Sequence, residues 1–263
     1  MSEEPVANKR SPLKDRPLRN PGQSLDEEIG QLISDYALGP VVFAPLMVSI
    51  TALEWAKYYQ SAPPSPLVYS AIAVPSIAYA VLRFFSVRHE VKNRKLGRDG
   101  EKAVGQFLEQ LRGQGYRVFH DVIGDGFNLD HVLIGPAGVF TVETKTHSKP
   151  ARNARIDFDG EIIRIDGCEP DRSPVVQARA QASWLREILC ESTGREFKVR
   201  SVIVYPGWFV DHTGPRSRSI WVLNAKALPT FLEHEPPQLS GEEIQLVSFH
   251  LSRFIRAESR AAD

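Results

Sequence analysis

The stretch 128–145 constrains the fold most strongly, because its apolar and β-branched residues alternate around a Gly-Pro-Ala-Gly turn. This pattern predicts two short β-strands joined by that turn. Successive side chains of a strand point to opposite faces, so Glu143 and Lys145 are expected to be neighbours on one face of the second strand. Paired strands lie roughly 4.8 Å apart, which places Asp130 of the first strand within reach of Glu143. The sequence therefore predicts that two carboxylates and one ammonium group converge in an apolar setting.

Such a cluster is costly unless another group compensates it, since two carboxylates repel each other and burial disfavours each charge. A divalent cation is one compensation, and oxygen ligands with room for waters suit Mg²⁺ or Mn²⁺. The adjacent Lys145 would then stabilise a phosphate or help to deprotonate a water. The alternative is a surface salt bridge between Glu143 and Lys145 on an exposed strand face. The spacing alone does not separate the two interpretations.

Three segments of the chain together carry a resemblance to a known family. They are Gly97-Arg98-Asp99-Gly100-Glu101 with the amphipathic helix that follows, Leu129 to Gly135, and Gly138 to Lys145. Asp130 and the Glu143-Thr144-Lys145 tripeptide resemble the signature of the PD-(D/E)XK nuclease superfamily. The wider pattern, over about 96–205, resembles its nuclease-related domain, NERD. Leucine, not proline, precedes Asp130, although the name of the superfamily includes that proline.

The resemblance implies a restriction-endonuclease-like α/β fold, with a mixed sheet flanked by helices, and a nuclease site that uses Mg²⁺ or Mn²⁺. It implies that the Asp130 and Glu143 carboxylates and the Thr144 carbonyl hold the cation, as in similar nucleases. It also implies that Lys145 orients a water or neutralises charge that develops on the phosphate. Two further positions match the site of the family, where they position the water or the scissile phosphate: Glu101 and Gln177.

Some of these side chains also have simpler explanations. A carboxylate in the first turn of a helix, such as Glu101, is favoured by the helix dipole whatever its role. Gln177 shares one predicted helix face with Gln181, which is also consistent with a half-solvated flank. His131 points to the strand face opposite Asp130, and we interpret it as a residue that packs in the core or supports a ligand from behind, rather than as a ligand itself.

The composition limits the number of domains and the choice of partners. The chain has 263 residues, with 32 Lys and Arg against 32 Asp and Glu, so its formal net charge is zero. This length accommodates one compact domain of about 150 residues and additional segments. No global basic field indicates a nucleic-acid partner, so such binding has to rely on local charge. The two cysteines, Cys168 and Cys190, lack metal-ligand spacing and indicate a reducing compartment rather than a disulfide framework.

The N-terminal third differs in character from the rest of the chain. Residues 1–36 are polar and rich in Pro, Glu, Lys and Arg, which predicts disorder apart from a short helix at 24–36. Two uncharged apolar runs follow, 37–53 and 67–82, at the short end of the roughly 17 to 25 residues needed to cross a bilayer. Aromatic residues flank both runs where interfacial belts belong. We therefore predict a two-span transmembrane helical hairpin over 37–87. The alternative is a soluble helical hairpin packed on the α/β domain.

The charges around this hairpin predict its orientation. Basic residues precede the first run, and others follow the second in a basic juxtamembrane linker at 88–96. The loop between the runs contains a single basic residue, Lys57. By the positive-inside rule, both ends of the hairpin are cytoplasmic. The nuclease-like domain at 97–263, with its core at 97–205, then faces the cytoplasm from the cell membrane. The linker also suits contact with anionic lipid or with a nucleic-acid backbone.

Two functions of different classes are consistent with these features. The first is a membrane-tethered, metal-dependent nuclease that hydrolyses phosphodiester bonds in DNA or RNA. The second is a binding or scaffold module at the membrane, whose catalytic site is weak or silent. The complete signature argues against decay of the site, but not against slow or conditional activity, because a fold alone does not imply a function.

Overall fold

The computed structural model describes residues 18–34, 39–60, 66–148, 155–214, 217 and 219–261. The predicted disorder of residues 1–17 and the link at 61–65 between the two apolar runs lie outside these ranges. The described part is a mixed α/β fold, in which a five-stranded sheet separates two layers of helices. A three-stranded sheet lies next to its edge.

The central sheet is mixed, as predicted. In chain order the strands are β1 Arg117–Ile123, β2 Asn128–Gly135, β3 Gly138–Thr144, β4 Arg155–Phe158, β5 Ile163–Ile165, β6 Val199–Val204, β7 Phe209–His212 and β8 Ile220–Leu223. Strands β1, β2 and β3 are antiparallel, β6 and β8 continue the sheet in parallel, and the order is β1-β2-β3-β6-β8. The turn between β2 and β3 requires Gly138, whose φ of 124° favours glycine.

Helices cover both faces of the central sheet. In chain order the helices are α1 Gln23–Leu32, α2 Gly39–Tyr59, α3 Pro66–Glu109, α4 Pro174–Thr193, α5 Leu228–Glu233 and α6 Gly241–Ala261. Helices α3 and α5 pack on one face of the sheet and α4 and α6 on the other, whereas α1 and α2 pack against α3. On one face, Leu108 of α3 belongs to the same buried cluster as Leu133 of β2. On the other face, Leu185 of α4 and Leu251 of α6 cluster with Val132. The apolar alternation along β2 therefore feeds two separate cores, one on each side of the sheet.

Local capping signals set where the later helices begin. Ser173 Oγ accepts a backbone hydrogen bond at the start of α4, and Pro174 occupies the first turn. At the start of α6, the Ser240 N–H donates to Glu243 Oε2 at 2.8 Å, and the Glu243 N–H donates to Ser240 Oγ at 3.3 Å. The first turns of α4 consequently lie beside the end of β3.

The N-terminal segment is more ordered than its composition predicts. Helix α1 covers Gln23–Leu32 and packs against α3 with Ile29 buried. Asp26 of α1 pairs with Arg98 and Lys102 of α3, with oxygen to nitrogen distances of 3.0 Å and 2.7 Å. Helix α1 therefore corresponds to the short helix predicted at 24–36. What composition did not predict is that ion pairs and hydrogen bonds attach this helix and residues 18–22 to the domain.

The sequence had suggested a separate linker at residues 88–96, and the structure instead continues a helix through them. They belong to α3, which continues from Pro66 to Glu109 as a single helix of 44 residues. The sequence pattern predicted a helix that starts only after Gly100. Gly100 lies inside the helix and allows α3 to approach Thr146 closely, since a Cβ added to this glycine would lie 1.9 Å from Thr146 Oγ1. The contact brings α3 against the chain just beyond β3.

The hairpin that precedes the domain is only partly supported. Within the described residues, one helix, Ser70–Gln114, is long and apolar enough to cross a membrane. The predicted two-span transmembrane hairpin is therefore not confirmed. Helices α2 and α3 pack against each other, and Trp55 Nε1 donates to Ser70 Oγ at 3.2 Å. Large apolar side chains are exposed along both helices, among them Phe43, Leu46, Leu53, Ile72, Val74, Leu82 and Phe85.

Candidate active site

Glu143, near the end of β3, is the centre of a hydrogen-bonded cluster. Its Oε1 accepts from Lys145 Nζ and from Gln177 Nε2, each at 2.7 Å. Lys145 Nζ also donates to Gln177 Oε1 at 2.9 Å. Glu143 is only 5% exposed, so its pair with Lys145 is not a salt bridge on an open strand face. The period of β3 and the start of α4 thus bring three predicted site residues together.

Asp130 of β2 lies where the pairing of β2 with β3 ends. The recorded pairing reaches Val142, and beyond it the Thr144 backbone N–H donates to Asp130 Oδ2 at 2.7 Å. The Asp130 carboxylate therefore accepts the hydrogen bond that a backbone carbonyl of a paired strand would otherwise accept from the Thr144 N–H. Burial is the largest cause that raises the pKa of Asp130 well above its usual range, followed by repulsion from Glu143 and Glu101.

Glu101 reaches the same cluster from α3. Burial is the largest cause that raises its pKa to about 8, and the charges of Asp121 and Glu143 add to this effect. Lys145 acts in the opposite direction. At neutral pH the Glu101 carboxyl is therefore mostly protonated unless a cation compensates the neighbouring carboxylates. All the predicted side chains thus act on one another at a single site.

Sequence analysis missed a further carboxylate, Asp121 of β1. It lies between His120 and Val122, whose partners on β2 flank Asp130, so the two aspartates take opposite positions. Asp121 is 3% exposed and has a φ of 50°. Its Oδ2 accepts from Arg19 Nε at 2.6 Å and from the Ser24 N–H at 2.9 Å, and its Oδ1 accepts from Ser24 Oγ at 2.6 Å. The available signal was an Asp next to His120 in the middle of a largely apolar strand.

The segment that binds Asp121, residues 18–32, forms a strap along one side of the site; we call it the N-terminal strap. A Cβ added to Gly22 of the strap would lie 3.6 Å from Glu101 Oε2 and 3.1 Å from Arg98 Cγ. A Cβ added to Gly105 of α3 would lie 2.7 Å from the ring of Pro21. The strap and α3 are therefore in close contact, and the strap forms a wall of the site that was not predicted.

Two more residues complete the surroundings of Glu143. The buried Gln181 donates through Nε2 to Glu143 Oε2 at 2.7 Å and to the Asn128 carbonyl at 3.1 Å. Its position four residues after Gln177, on one helix face, was the signal for a shared role. The buried Tyr205 hydroxyl has no hydrogen-bond partner among the described residues, and burial, with the charge of Glu143, raises its pKa.

The donor set at this site fits a small divalent cation. Asp130 and Glu143 supply carboxylate oxygens, and Thr144, bonded to Asp130 through its N–H, supplies a backbone carbonyl. No three His, Cys, Asp or Glu side chains in the described ranges form a cluster that could hold a metal ion by themselves. Mg²⁺ commonly binds through one or two carboxylates and keeps several waters, so a third side chain is not required. A cation would also offset the repulsion that raises the pKa of Asp130.

Comparison with known families agrees with this geometry. Residues 96–206 match the model of a family described as NERD, nuclease-related domain. This segment is a NERD domain. NERD domains are generally placed in the PD-(D/E)XK-like superfamily. The predicted site residues all lie inside the NERD domain, whereas the N-terminal strap and α6 lie outside it.

Individual relatives add little to the family match. An uncharacterized protein of Bacillus anthracis is 41% identical over 56 residues, which is 19% of this chain and 26% of that protein. Protein VC1899 from Vibrio cholerae is 10% identical, with a TM-score of 0.27 over 88% of this chain and 58% of that one. The Ca²⁺ complex of Pyrococcus furiosus SfsA is 17% identical, with a TM-score of 0.23 over 62% and 54%. The chain thus spans about a quarter of the curated relative and over half of each solved structure.

Proposed function

We propose that the NERD domain is a nuclease that hydrolyses phosphodiester bonds in DNA or RNA with Mg²⁺ or Mn²⁺. The observation that carries the proposal is the assembly of the D…E-x-K residues at one buried site. Glu143 and Lys145 share Gln177 as a partner, and Asp130 lies beside them on the neighbouring strand. The membership of this segment in a nuclease-related family supports the same function.

In this proposal some groups of the site bind the cation and Lys145 stabilises charge on the phosphate. Asp130, Glu143 and the Thr144 carbonyl hold the cation, which when bound supplies Lewis acidity toward the phosphodiester and an attacking water. The Lys145 ammonium group is held by Glu143 and Gln177, so its charge stays at one position. From that position it stabilises negative charge that develops on the phosphate oxygens.

Glu101 has a separate role that follows from its environment. Without a cation its pKa of about 8 leaves a proton on the carboxyl near neutral pH. A cation bound by the neighbouring carboxylates would favour the ionised form, and Glu101 would then accept a hydrogen bond from the attacking water and orient it. Gln177 complements it, because one amide group bonds both Glu143 and Lys145 and keeps their spacing constant. Both residues therefore position groups that react, and neither needs to hold the cation.

The test uses the full-length protein, since the N-terminal strap holds Asp121 from outside the NERD domain. The detergent-purified protein is incubated with labelled single- and double-stranded DNA and RNA, with Mg²⁺, Mn²⁺ or a chelator. We expect cleavage that requires the cation and that Glu143→Gln removes. The matched control is Glu161→Gln, which changes an exposed glutamate paired with Arg179 and should leave cleavage intact. A wild-type protein that cuts none of these substrates with either cation contradicts the proposal.

A silent site that binds nucleic acid is the second candidate. The observation in its favour is that three side-chain donors already satisfy the two oxygens of Glu143. Binding of Mn²⁺ measured by calorimetry separates the two candidates. A nuclease site requires that Asp130→Asn and Glu143→Gln each weaken this binding, since each removes an anionic oxygen. Unchanged affinity in both variants, with nucleic acid bound but not cut, favours the scaffold.

We also propose that α2 and the first half of α3 insert into the cell membrane and leave the NERD domain on the cytoplasmic side. The exposed apolar side chains of both helices and the charge asymmetry around the hairpin support this arrangement. Cys168 is exposed in the NERD domain and serves as an internal reporter. An impermeant thiol reagent on intact cells should label a Gln60→Cys variant but reach Cys168 only after lysis. Recovery of the protein in the soluble fraction without detergent contradicts insertion.

A further inference from the structure

A chain of hydrogen-bonded side chains connects the surface of the protein with the end of β3. Glu109 Oε1, at the end of α3, lies 2.7 Å from His120 Nε2. His120 Nδ1 lies 2.9 Å from His131 Nδ1, and the two rings meet edge to face. His131 Nε2 lies 3.5 Å from Thr144 Oγ1. We call Glu109, His120, His131 and Thr144 the histidine chain.

The geometry of the histidine chain restricts where its protons lie. Two Nδ1 atoms at 2.9 Å need one donor and one acceptor, so the two neutral imidazoles must be different tautomers. Arg112 pairs with Glu109 and is the largest cause that lowers the pKa of this carboxyl. An ionised Glu109 only accepts, so His120 donates to it through Nε2 and keeps a lone pair on Nδ1.

The proton positions then follow in order toward the site. His131 donates through Nδ1 to His120, which leaves His131 Nε2 as an acceptor. The only donor available to it in the histidine chain is the Thr144 hydroxyl. His120 is buried, and burial is the largest cause that lowers its pKa, which favours a neutral ring at this position. One surface carboxylate therefore sets the direction of every hydrogen bond up to Thr144.

Thr144 is the residue whose backbone needs such support. The recorded pairing of β3 with β2 reaches Val142, so on that side Thr144 is held by side chains. Its N–H donates to Asp130 and its hydroxyl faces His131, while the opposite edge of β3 pairs with β6 opposite Val204. These contacts together restrict both the side chain and the backbone of Thr144.

We propose that Glu109, His120 and His131 are positioning residues, which fix the Thr144 hydroxyl as a donor and so hold the Thr144 carbonyl in one orientation. The role of that carbonyl as a ligand rests on the proposed function, but the proton positions do not. Of the two roles that the sequence left open for His131, packing and support of a ligand from behind, the proposal assigns the second. Hydrogen-bond partners behind metal ligands typically change metal affinity or activity by about 10- to 100-fold when they are removed.

Nitrogen NMR of ¹⁵N-histidine-labelled full-length protein in detergent tests the proton positions directly. We expect a proton on Nε2 of His120 and on Nδ1 of His131, with each signal assigned by its loss in a His→Gln variant. A proton on Nε2 of His131 would reverse the direction of the histidine chain and overturn the proposal. This measurement is independent of cleavage, so it separates a failure of the histidine chain from a failure of the nuclease function.

The surface end of the histidine chain offers a variant that keeps the core intact. Glu109→Ala should mix the tautomers of both histidines, speed amide hydrogen exchange at Thr144 and lower kcat by about 10-fold with little change in KM. The matched control is Glu161→Ala, because Glu161 is likewise an exposed glutamate bonded through both oxygens to one arginine. It should change none of these readouts. Unmixed tautomers and unchanged exchange in Glu109→Ala would overturn the proposal even in a protein that cuts no nucleic acid.

The site end of the histidine chain gives a second pair of variants. Thr144→Val keeps the shape of the side chain but removes the hydroxyl, whereas Thr144→Ser keeps the hydroxyl. We expect Thr144→Val to weaken Mn²⁺ binding by about 10-fold or more, and Thr144→Ser to lose clearly less. Equal losses in the two variants would show that packing of the methyl group, and not the hydrogen bond to His131, holds Thr144.

Discussion

Asp121 and Asp130 take opposite positions on neighbouring strands, yet hydrogen-bond donors surround one carboxylate and like charges surround the other. Both oxygens of Asp121 are bonded by the N-terminal strap, which supplies one guanidinium group and two donors from Ser24. Asp130 is bonded by the Thr144 N–H, and the charges that act on it most strongly come from other carboxylates. Asp121 is therefore bonded to a counterion of the protein, whereas Asp130 is repelled by neighbouring carboxylates.

This difference separates an anchor from a candidate ligand. A buried carboxylate with a fixed cation is held in place, and its loss leaves that cation uncompensated. A buried carboxylate with like-charged neighbours is unfavourable until a proton or an added cation compensates it. Asp121 therefore stabilises the fold by attaching the N-terminal strap, and Asp130 is available to bind a divalent cation.

The largest expected effect is on catalysis, in Asp130→Asn. We expect cleavage to fall about 1000-fold, or about 4 kcal/mol in activation free energy, because the variant loses an anionic oxygen of the cation site. The free energy of unfolding in chelator should stay constant or rise, since asparagine still accepts from the Thr144 N–H and carries no repelled charge. Single-turnover cleavage and urea unfolding measure the two quantities. A large loss of stability would make Asp130 an anchor like Asp121.

The next effect is on stability, in Asp121→Asn. This variant should lower the free energy of unfolding by about 2 kcal/mol, because the partly buried Arg19 loses one of its two carboxylate partners and keeps only Glu27. Amide exchange in α1 should become faster, while Mn²⁺ affinity falls much less than in Asp130→Asn. Urea unfolding, hydrogen exchange and calorimetry provide the comparison. Intact stability with a loss of Mn²⁺ affinity would instead make Asp121 a ligand.

The two aspartates also show how much of the site was predictable from sequence. Asp130 and Glu143 were predictable because a period of two and a short turn fix the register of adjacent strands. Asp121 was not, since its partners Arg19 and Ser24 lie about a hundred residues away and meet it only through tertiary folding. Local patterns cannot report such contacts.

The same limit applies to α3 and the strap. Glu101 was assigned through the family resemblance, because the close approach of Gly100 to Thr146 brings α3 to the site and has no periodic signature. A short helix was predicted within the strap, but its attachment to the domain was not, because polar composition predicts disorder and gives no sign of distant polar contacts. The fold class was predictable, since the order of strands and helices depends on strong periodic patterns.

Glu101 gives a smaller effect that depends on pH. Its pKa of about 8 in the folded protein exceeds the value of about 4.3 in an unfolded chain, so between these values the folded state binds the additional proton. The contribution of Glu101 to stability is then fully present at low pH and is lost as pH rises toward 8, by up to about 1 kcal/mol per pH unit. Glu101→Gln should flatten this slope in urea unfolding measured in chelator from pH 5 to 9. Equal slopes in both proteins would show that Glu101 is not protonated in the folded state.

The smallest expected effect tests what attaches the N-terminal strap. Asp26 pairs with Arg98 and Lys102, but all three side chains are partly or largely exposed, and exposed ion pairs contribute about 0–1 kcal/mol. Asp26→Asn should therefore lower the free energy of unfolding by less than about 0.5 kcal/mol, with the change decreasing further in high salt. Exchange in α1 should remain slow, in contrast to Asp121→Asn. If both variants released α1 equally, the surface ion pairs would hold the strap as strongly as the buried Asp121 does. Asp121 would then not be the main anchor that its buried contacts indicate.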